Sequence, residues 1–155
     1  MKLGLIPNPV TGSFKQILPA MNSFDDLEIK FSFLCPTDYK SFAVNYGEGF
    51  VSGCIRVYMP RNIIAMHINW QERINKYYSW RRDVLSQEHA KQSFLIMDTT
   101  HGDQVAVFKS KYYFLPHNSD KIIYIGRTFS AAFNWLLANP LNNIKEREFY
   151  PEELG

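Results

Sequence analysis

Residues 35–49 read CPTDYKSFAVNYGEG, a short amphipathic helix entered through a proline and left through two glycines. Pro36 suits the first turn, where a missing N–H costs nothing. Tyr39, Phe42, Ala43 and Tyr46 recur at helical spacing and put three aromatic rings on one face. Gly47 can take the left-handed conformation that closes a helix, and Gly49 frees the chain to turn before the run that begins at Val51. The stretch predicts a helix-to-strand corner that offers aromatic rings to a sheet, with Tyr39, Phe42 and Tyr46 in the core. Such a corner is a packing device and has no chemistry of its own.

Downstream, Val51–Met59 reads as a strand in which Gly53 marks a bulge or a close approach, and Pro60 ends it. Asn62 caps the longest periodic stretch. There Ile63, Met66, Trp70, Ile74, Tyr77, Trp80 and Val84 follow one another by three or four residues, which predicts one long helix that breaks or bends near Ser79. Phe94–Thr100 and Gln104–Lys109 read as a hairpin turned at His101-Gly102-Asp103. Lys111–Leu115 extends that strand or starts another, and Lys121–Gly126 is a further strand. Thr128 caps a final helix whose apolar face is Phe129, Phe133, Leu136 and Leu137, stopped by Pro140.

Upstream, Pro7, Pro9, Gly12 and Pro19 break residues 1–24 into an irregular or short-helical lead-in, with Phe14, Ile17, Leu18 and Met21 as a candidate short helix. Ile29, Phe31 and Phe33 alternate as an early strand or as an extended approach to the helix. Residues 141–155 read as a polar tail. Strands in succession with helices set around them predict an α+β fold. It would be a single domain over 1–155, with a mostly antiparallel twisted sheet of about five or six strands and surrounding helices.

Composition narrows the class. A chain of 155 residues, 46% hydrophobic and 15% aromatic, can bury a core without staples. A net charge of +2 is too small for a nucleic-acid footprint. No run of about eighteen apolar residues occurs, so no membrane span is expected. The opening MKLGLIPNPVTGSF, with one lysine and two prolines, does not read as a secretory signal. Cys35 and Cys54 lack a CxxC spacing and suit buried, reduced thiols. These features predict a soluble, cytoplasmic protein.

The four histidines, His67, His89, His101 and His117, show no metal-ligand spacing, and no nucleotide-binding or hydrolase motif occurs, so neither metal nor cofactor is expected. His101 beside Gly102-Asp103 is a candidate general base, although a hairpin turn explains the same residues. Cys54, or Cys35 at a helix start, is a candidate nucleophile, against the common role of cysteine as a small buried residue. Charge is unevenly spread: residues 61–93 hold six Lys/Arg against three Asp/Glu, and residues 128–155 hold two against four. Arg73, Lys76, Arg81 and Arg82, interleaved with Tyr77, Tyr78 and Trp80, suit either a solvated face or a partner surface. Asp25, Asp26 and Glu28 form an acidic patch. The candidate partner-binding set is Arg73, Lys76, Tyr77, Arg81, Arg82, Asp25, Asp26 and Glu48.

The order of these segments resembles the SUKH superfamily, which includes the fungal Smi/Knr regulators and many bacterial immunity proteins. The resemblance rests on Pro36, Asp38, Tyr39, Phe42 and the Gly47–Gly49 turn, then on the hairpin at Gly102-Asp103, then on the helix Phe129–Leu137. It covers roughly residues 30–140. Glu48 departs from the pattern by separating glycines that are often adjacent in the family. The resemblance implies a binding module that neutralises a cognate protein toxin by contact, without catalysis or cofactor. A regulatory scaffold of the Smi/Knr type is the alternative, followed by a small enzyme using His101, Asp103 or Cys54, and last by a nucleic-acid binder. Family function assigns no residue here, because the matching positions are structural.

Overall fold

The computed structural model describes residues 6–7 and 16–153, with only the backbone of the first two. Within them the fold is α+β: one sheet with helices packed around it. In chain order the strands are β1 (Ile6–Pro7), β2 (Gly49–Val51), β3 (Ile55–Val57), β4 (Phe94–Thr99), β5 (Gln104–Phe108), β6 (Lys111–Leu115), β7 (Ile123–Gly126) and β8 (Glu148–Pro151). Their spatial order is β1-β8-β2-β3-β4-β5-β6-β7. Every neighbouring pair from β8 to β7 is antiparallel, and β1 lies parallel to β8. The expected hairpins account for the middle of this sheet. Its far edge comes from the segments read as lead-in and tail.

The helices are α1 (Asn22–Phe31), α2 (Thr37–Asn45), α3 (Pro60–Lys76), α4 (Gln87–Gln92) and α5 (Phe129–Ala138). The opening stretch forms α2 as expected. Tyr39 and Phe42 are buried and Tyr46 is half-buried, stacked on Phe42 with ring centroids 5.1 Å apart. Phe42 also meets Phe129 and Phe133 of α5, so one aromatic layer joins α2 and α5 over the sheet. Burying each such ring contributes about 1.5–3 kcal/mol. Two polar contacts fix the register of this layer. The Tyr39 hydroxyl donates to the Tyr58 carbonyl at 2.6 Å, and the Ser130 N–H donates to Asp38 Oδ2 at 2.8 Å.

Four expectations change. The alternation at Ile29, Phe31 and Phe33 is not a strand. Phe24, Leu27 and Phe31 share a helical face, which wins, and Ile29 is left exposed on α1. The candidate helix containing Phe14 falls partly outside the described residues. Its described part at Ile17, Leu18 and Met21 is not helical. Val51–Met59 is not one strand but a hairpin, β2–β3, turned through Ser52 and Gly53, both at positive φ. Pro60 starts α3 rather than only ending the strand, and the Asn62 side chain accepts the Met59 N–H at 3.0 Å. Finally, α3 stops at Lys76. The periodic Trp80 and Val84 lie in an irregular segment, where Trp80 Nε1 donates to the Pro116 carbonyl and the Tyr78 hydroxyl to the Leu85 carbonyl. Trp80 packs partly against the core from this loop while Val84 stays exposed, so helical spacing overshot the helix.

The two sheet faces are unlike. Phe149, Val51 and Ile55 occupy one row under α2 and α5, and Phe149 packs against Phe42 and Tyr46. The opposite face has the row Tyr150, Phe50, Arg56, Asp98 and Gln104. On that face Trp70 of α3 lies beside Leu95, and His89 of α4 stacks on Phe108. Further along, Phe50 and Tyr150 are half-buried.

Candidate functional site: an acidic, aromatic-floored groove

The glycines of the opening stretch work by leaving out side chains. A Cβ on Gly47 would fall 2.3 Å from the Ile17 carbonyl oxygen, and one on Gly49 would fall 2.2 Å from that of Tyr150. Gly49 therefore lets β8 come close enough to pair with β2. Between them Glu48 points inward, 2% exposed, and accepts from Arg61 Nε at 2.5 Å and Nη2 at 2.9 Å. Glu48 had been counted among partner-binding residues. Its burial under Arg61 makes it an internal anchor instead, which corrects that expectation.

Strand β8 and the segment before it build one side of a groove of about 760 Å³. Alternation along the strand places Glu148, Tyr150 and Glu152 on the groove side, with Phe149 facing the core. Phe50 and Tyr150, directly opposite each other across β2 and β8, supply the floor. Ile144, Lys145 and Glu146 complete the near wall. Ser52, held at φ 53° in the turn, donates its backbone N–H to the Glu148 carbonyl at 2.7 Å and its hydroxyl to the Glu146 carbonyl. These bonds pin the acidic segment to the β2–β3 turn.

The groove's charges are three carboxylates against Lys145. A side-chain hydrogen bond with Glu148, and then the charge of that carboxylate, raise the Glu146 carboxyl pKa above its ordinary value, while the Tyr150 hydroxyl donates to Glu148 Oε2. Hydrogen bonding to that carboxylate also raises the Tyr150 pKa, so the ring keeps its proton. Beyond Phe50 the same row holds Arg56, which donates from Nε to Asp98 Oδ1 at 2.6 Å and pairs with Oδ2 through Nη2. Tyr58 donates to the same carboxylate. Arg56 is thus committed to its neighbours.

The other expected site residues are dispersed. Arg73 and Lys76 end α3, and the Arg73 guanidinium lies 4.9 Å over the Trp70 ring. Tyr77 follows as the helix cap and is 73% exposed. Arg81 pairs with Asp83 at 2.8 Å, and Arg82 donates to Gln87 at 2.7 Å. These five residues form a ridge, but Arg81 and Arg82 already have local partners. Asp25 and Asp26 are exposed on α1, and Asp26 shares a shallow depression with Arg61 and Ile64 at the opposite end of α3. A 17-residue helix is about 25 Å long, so ridge and acidic patch do not converge.

The enzymatic candidates are also separated. His101 is exposed in the hairpin turn, whereas the buried Asp103 contacts His117, Nδ1 to Oδ1, at 2.6 Å. Burial, helped by Glu28, pushes the Cys35 thiol up to about 12, and burial raises Cys54 as well. Both stay as thiols near neutral pH, and no disulfide joins them. Among the described residues no group of three or more His, Cys, Asp or Glu side chains is arranged to hold a metal, and no helix is long and apolar enough to cross a membrane.

Sequence reasoning missed the groove because it treated residues 141–155 as a tail. The signal was present in the −2 charge of the last segment and in the alternation Glu148, Phe149, Tyr150, Pro151, Glu152. In comparisons with known proteins, no family model matches the chain and no curated protein matches it.

Proposed function

We propose that this protein is a cytoplasmic, SUKH-type immunity protein that binds a cognate protein toxin and neutralises it by contact alone. The observation that supports this reading is the groove: an open surface with an aromatic floor and an acidic wall, built on the paired strands β2 and β8 and the segment before β8. Aromatic anchors within a charged rim are the usual anatomy of protein interfaces. Neutralisation then follows from occupying or covering the toxin's working surface, with charge complementarity setting association rate and selectivity. The basic ridge at Arg73, Lys76 and Tyr77 is a secondary contact in this scheme.

The test is co-expression with the product of the adjacent gene, which the proposal expects to be a toxin. The proposal expects restored growth and co-purification of the two chains as a complex. Growth arrest despite stable expression of this protein, with no complex recovered, would overturn it.

A further inference from the structure

The groove also specifies what should enter it. We propose that it receives a basic segment of the protein partner, with an arginine or lysine side chain laid over Phe50 and Tyr150 and its cationic head placed between Glu146, Glu148 and Glu152. This deepens the immunity reading and rests on it for the identity of the partner.

Charge complementarity decides the occupant. Three carboxylates and Lys145 line the groove, so an anionic segment, a nucleic-acid backbone or an anionic lipid surface meets net repulsion there. An uncharged apolar segment would cover the floor but would strip water from the carboxylates without compensation. A guanidinium or ammonium group satisfies both parts at once. Its flat or methylene portion packs on the rings, where a cation is attracted by the π face. Its head meets the three carboxylates that line the groove.

The geometry around the groove is arranged for this role. Tyr150 is held by its own bond to Glu148, so ring and carboxylate form one preorganised unit. Of the cations on adjoining elements, Arg61 pairs with Glu48, and Arg56 pairs with Asp98 while its guanidinium lies 5.9 Å from the Phe50 centroid. The incoming cation therefore has the Tyr150 side of the floor and the three carboxylates to itself. Among the described residues, no ion pair joins Glu146, Glu148 or Glu152 to a cation of this chain.

The experiment uses the full chain and the peptide Gly-Arg-Arg-Arg-Gly as probe, with Gly-Glu-Glu-Glu-Gly as its counterpart, followed by amide chemical shifts. The basic peptide is expected to shift residues 50–53 and 146–152, and the acidic peptide to leave them unmoved. The E146Q/E148Q double variant, shown by circular dichroism to be folded, should weaken the basic peptide by about tenfold, the scale of losing a paired interfacial charge. Binding should also weaken as pH falls and Glu146 takes up its proton, and as salt rises. Shifts centred on Asp25 and Asp26, equal response to both peptides, or an unchanged double variant would overturn the inference. A toxin domain that co-purifies equally with wild type and E146Q/E148Q sinks the groove assignment and leaves the immunity reading standing. Peptide binding at the groove without any toxin complex does the reverse.

Discussion

The basic ridge at residues 73–82 and the acidic groove at residues 144–152 are both charged and both rich in aromatic rings, yet they are built differently. On the ridge, Arg81 pairs with Asp83, Arg82 with Gln87, and Arg73 rests on Trp70, so its charges are largely met within a few residues in sequence. In the groove, Glu146, Glu148 and Glu152 come from one short segment that pairing with Ser52 and β2, nearly a hundred residues away, fixes in place. Among the described residues, no cation of this chain forms an ion pair with them. Local partners arise at little conformational cost and say little about function. Like charges left unpaired on a segment that tertiary structure fixes in place oppose folding and call for an explanation outside the chain. The lesson is that residue type marked the ridge, whereas the cost of assembly marks the groove.

The comparison can be broken from the core outward. Phe129→Ala removes the ring that joins Tyr39, Phe42 and Phe133, and should cost about 3–5 kcal/mol in denaturant unfolding. Both surfaces then fail together, as a shared scaffold requires. Gly49→Ala discriminates between them. Its Cβ collides with the Tyr150 carbonyl, so β8 must move, at a cost of roughly 1–3 kcal/mol. Amide exchange should quicken at residues 148–151 and stay unchanged along α3. Quickening that spreads equally through α3 would show that groove and ridge are one cooperative unit.

Acid acts with opposite sign on the core beneath α3 and on the groove. His67, 6% exposed, has a Nδ1 with no partner among the described residues, and burial holds its pKa below the ordinary 6.5. The unfolded chain therefore takes up a proton there before the folded protein does. Stability contributed by neutral His67 is present above pH 6.5 and is lost as pH falls below it. Glu146 runs the other way. Its folded pKa is raised, so protonation on acidification relieves the repulsion with Glu148 and adds stability. Melting temperatures followed from about pH 7 to pH 4 should fall less steeply on the acid side in His67→Phe and more steeply in Glu146→Gln than in the wild type. The smallest effect belongs to the ridge, where Arg81→Ala should change stability by no more than about 0.5 kcal/mol, as for most exposed ion pairs.

The sequence made the α+β class and the middle of the sheet readable, because those elements are decided locally. The helix at 37–45 has its glycine exit, the hairpin at 94–108 has its Gly102-Asp103 turn, and Thr128 accepts the Ala131 N–H at the start of α5. What was not readable depends on partners distant in sequence. Glu148–Pro151 carries an alternation too short to announce a strand by itself, and it becomes one because Gly49 admits it beside β2 and Phe149 finds Phe42 and Tyr46. Glu48 looked like an exposed turn carboxylate until Arg61 was brought over it from α3. The same cause explains the missed site: the groove is an outcome of that long-range closure, so no single window of sequence contains it.

The most direct test of the central claim is the amide-exchange footprint of this protein in complex with the partner that the co-expression test recovers. The account predicts protection at residues 50–53 and 144–152, with at most weak protection at residues 73–82. Protection confined to the ridge, with the groove exchanging as in the free protein, would contradict it.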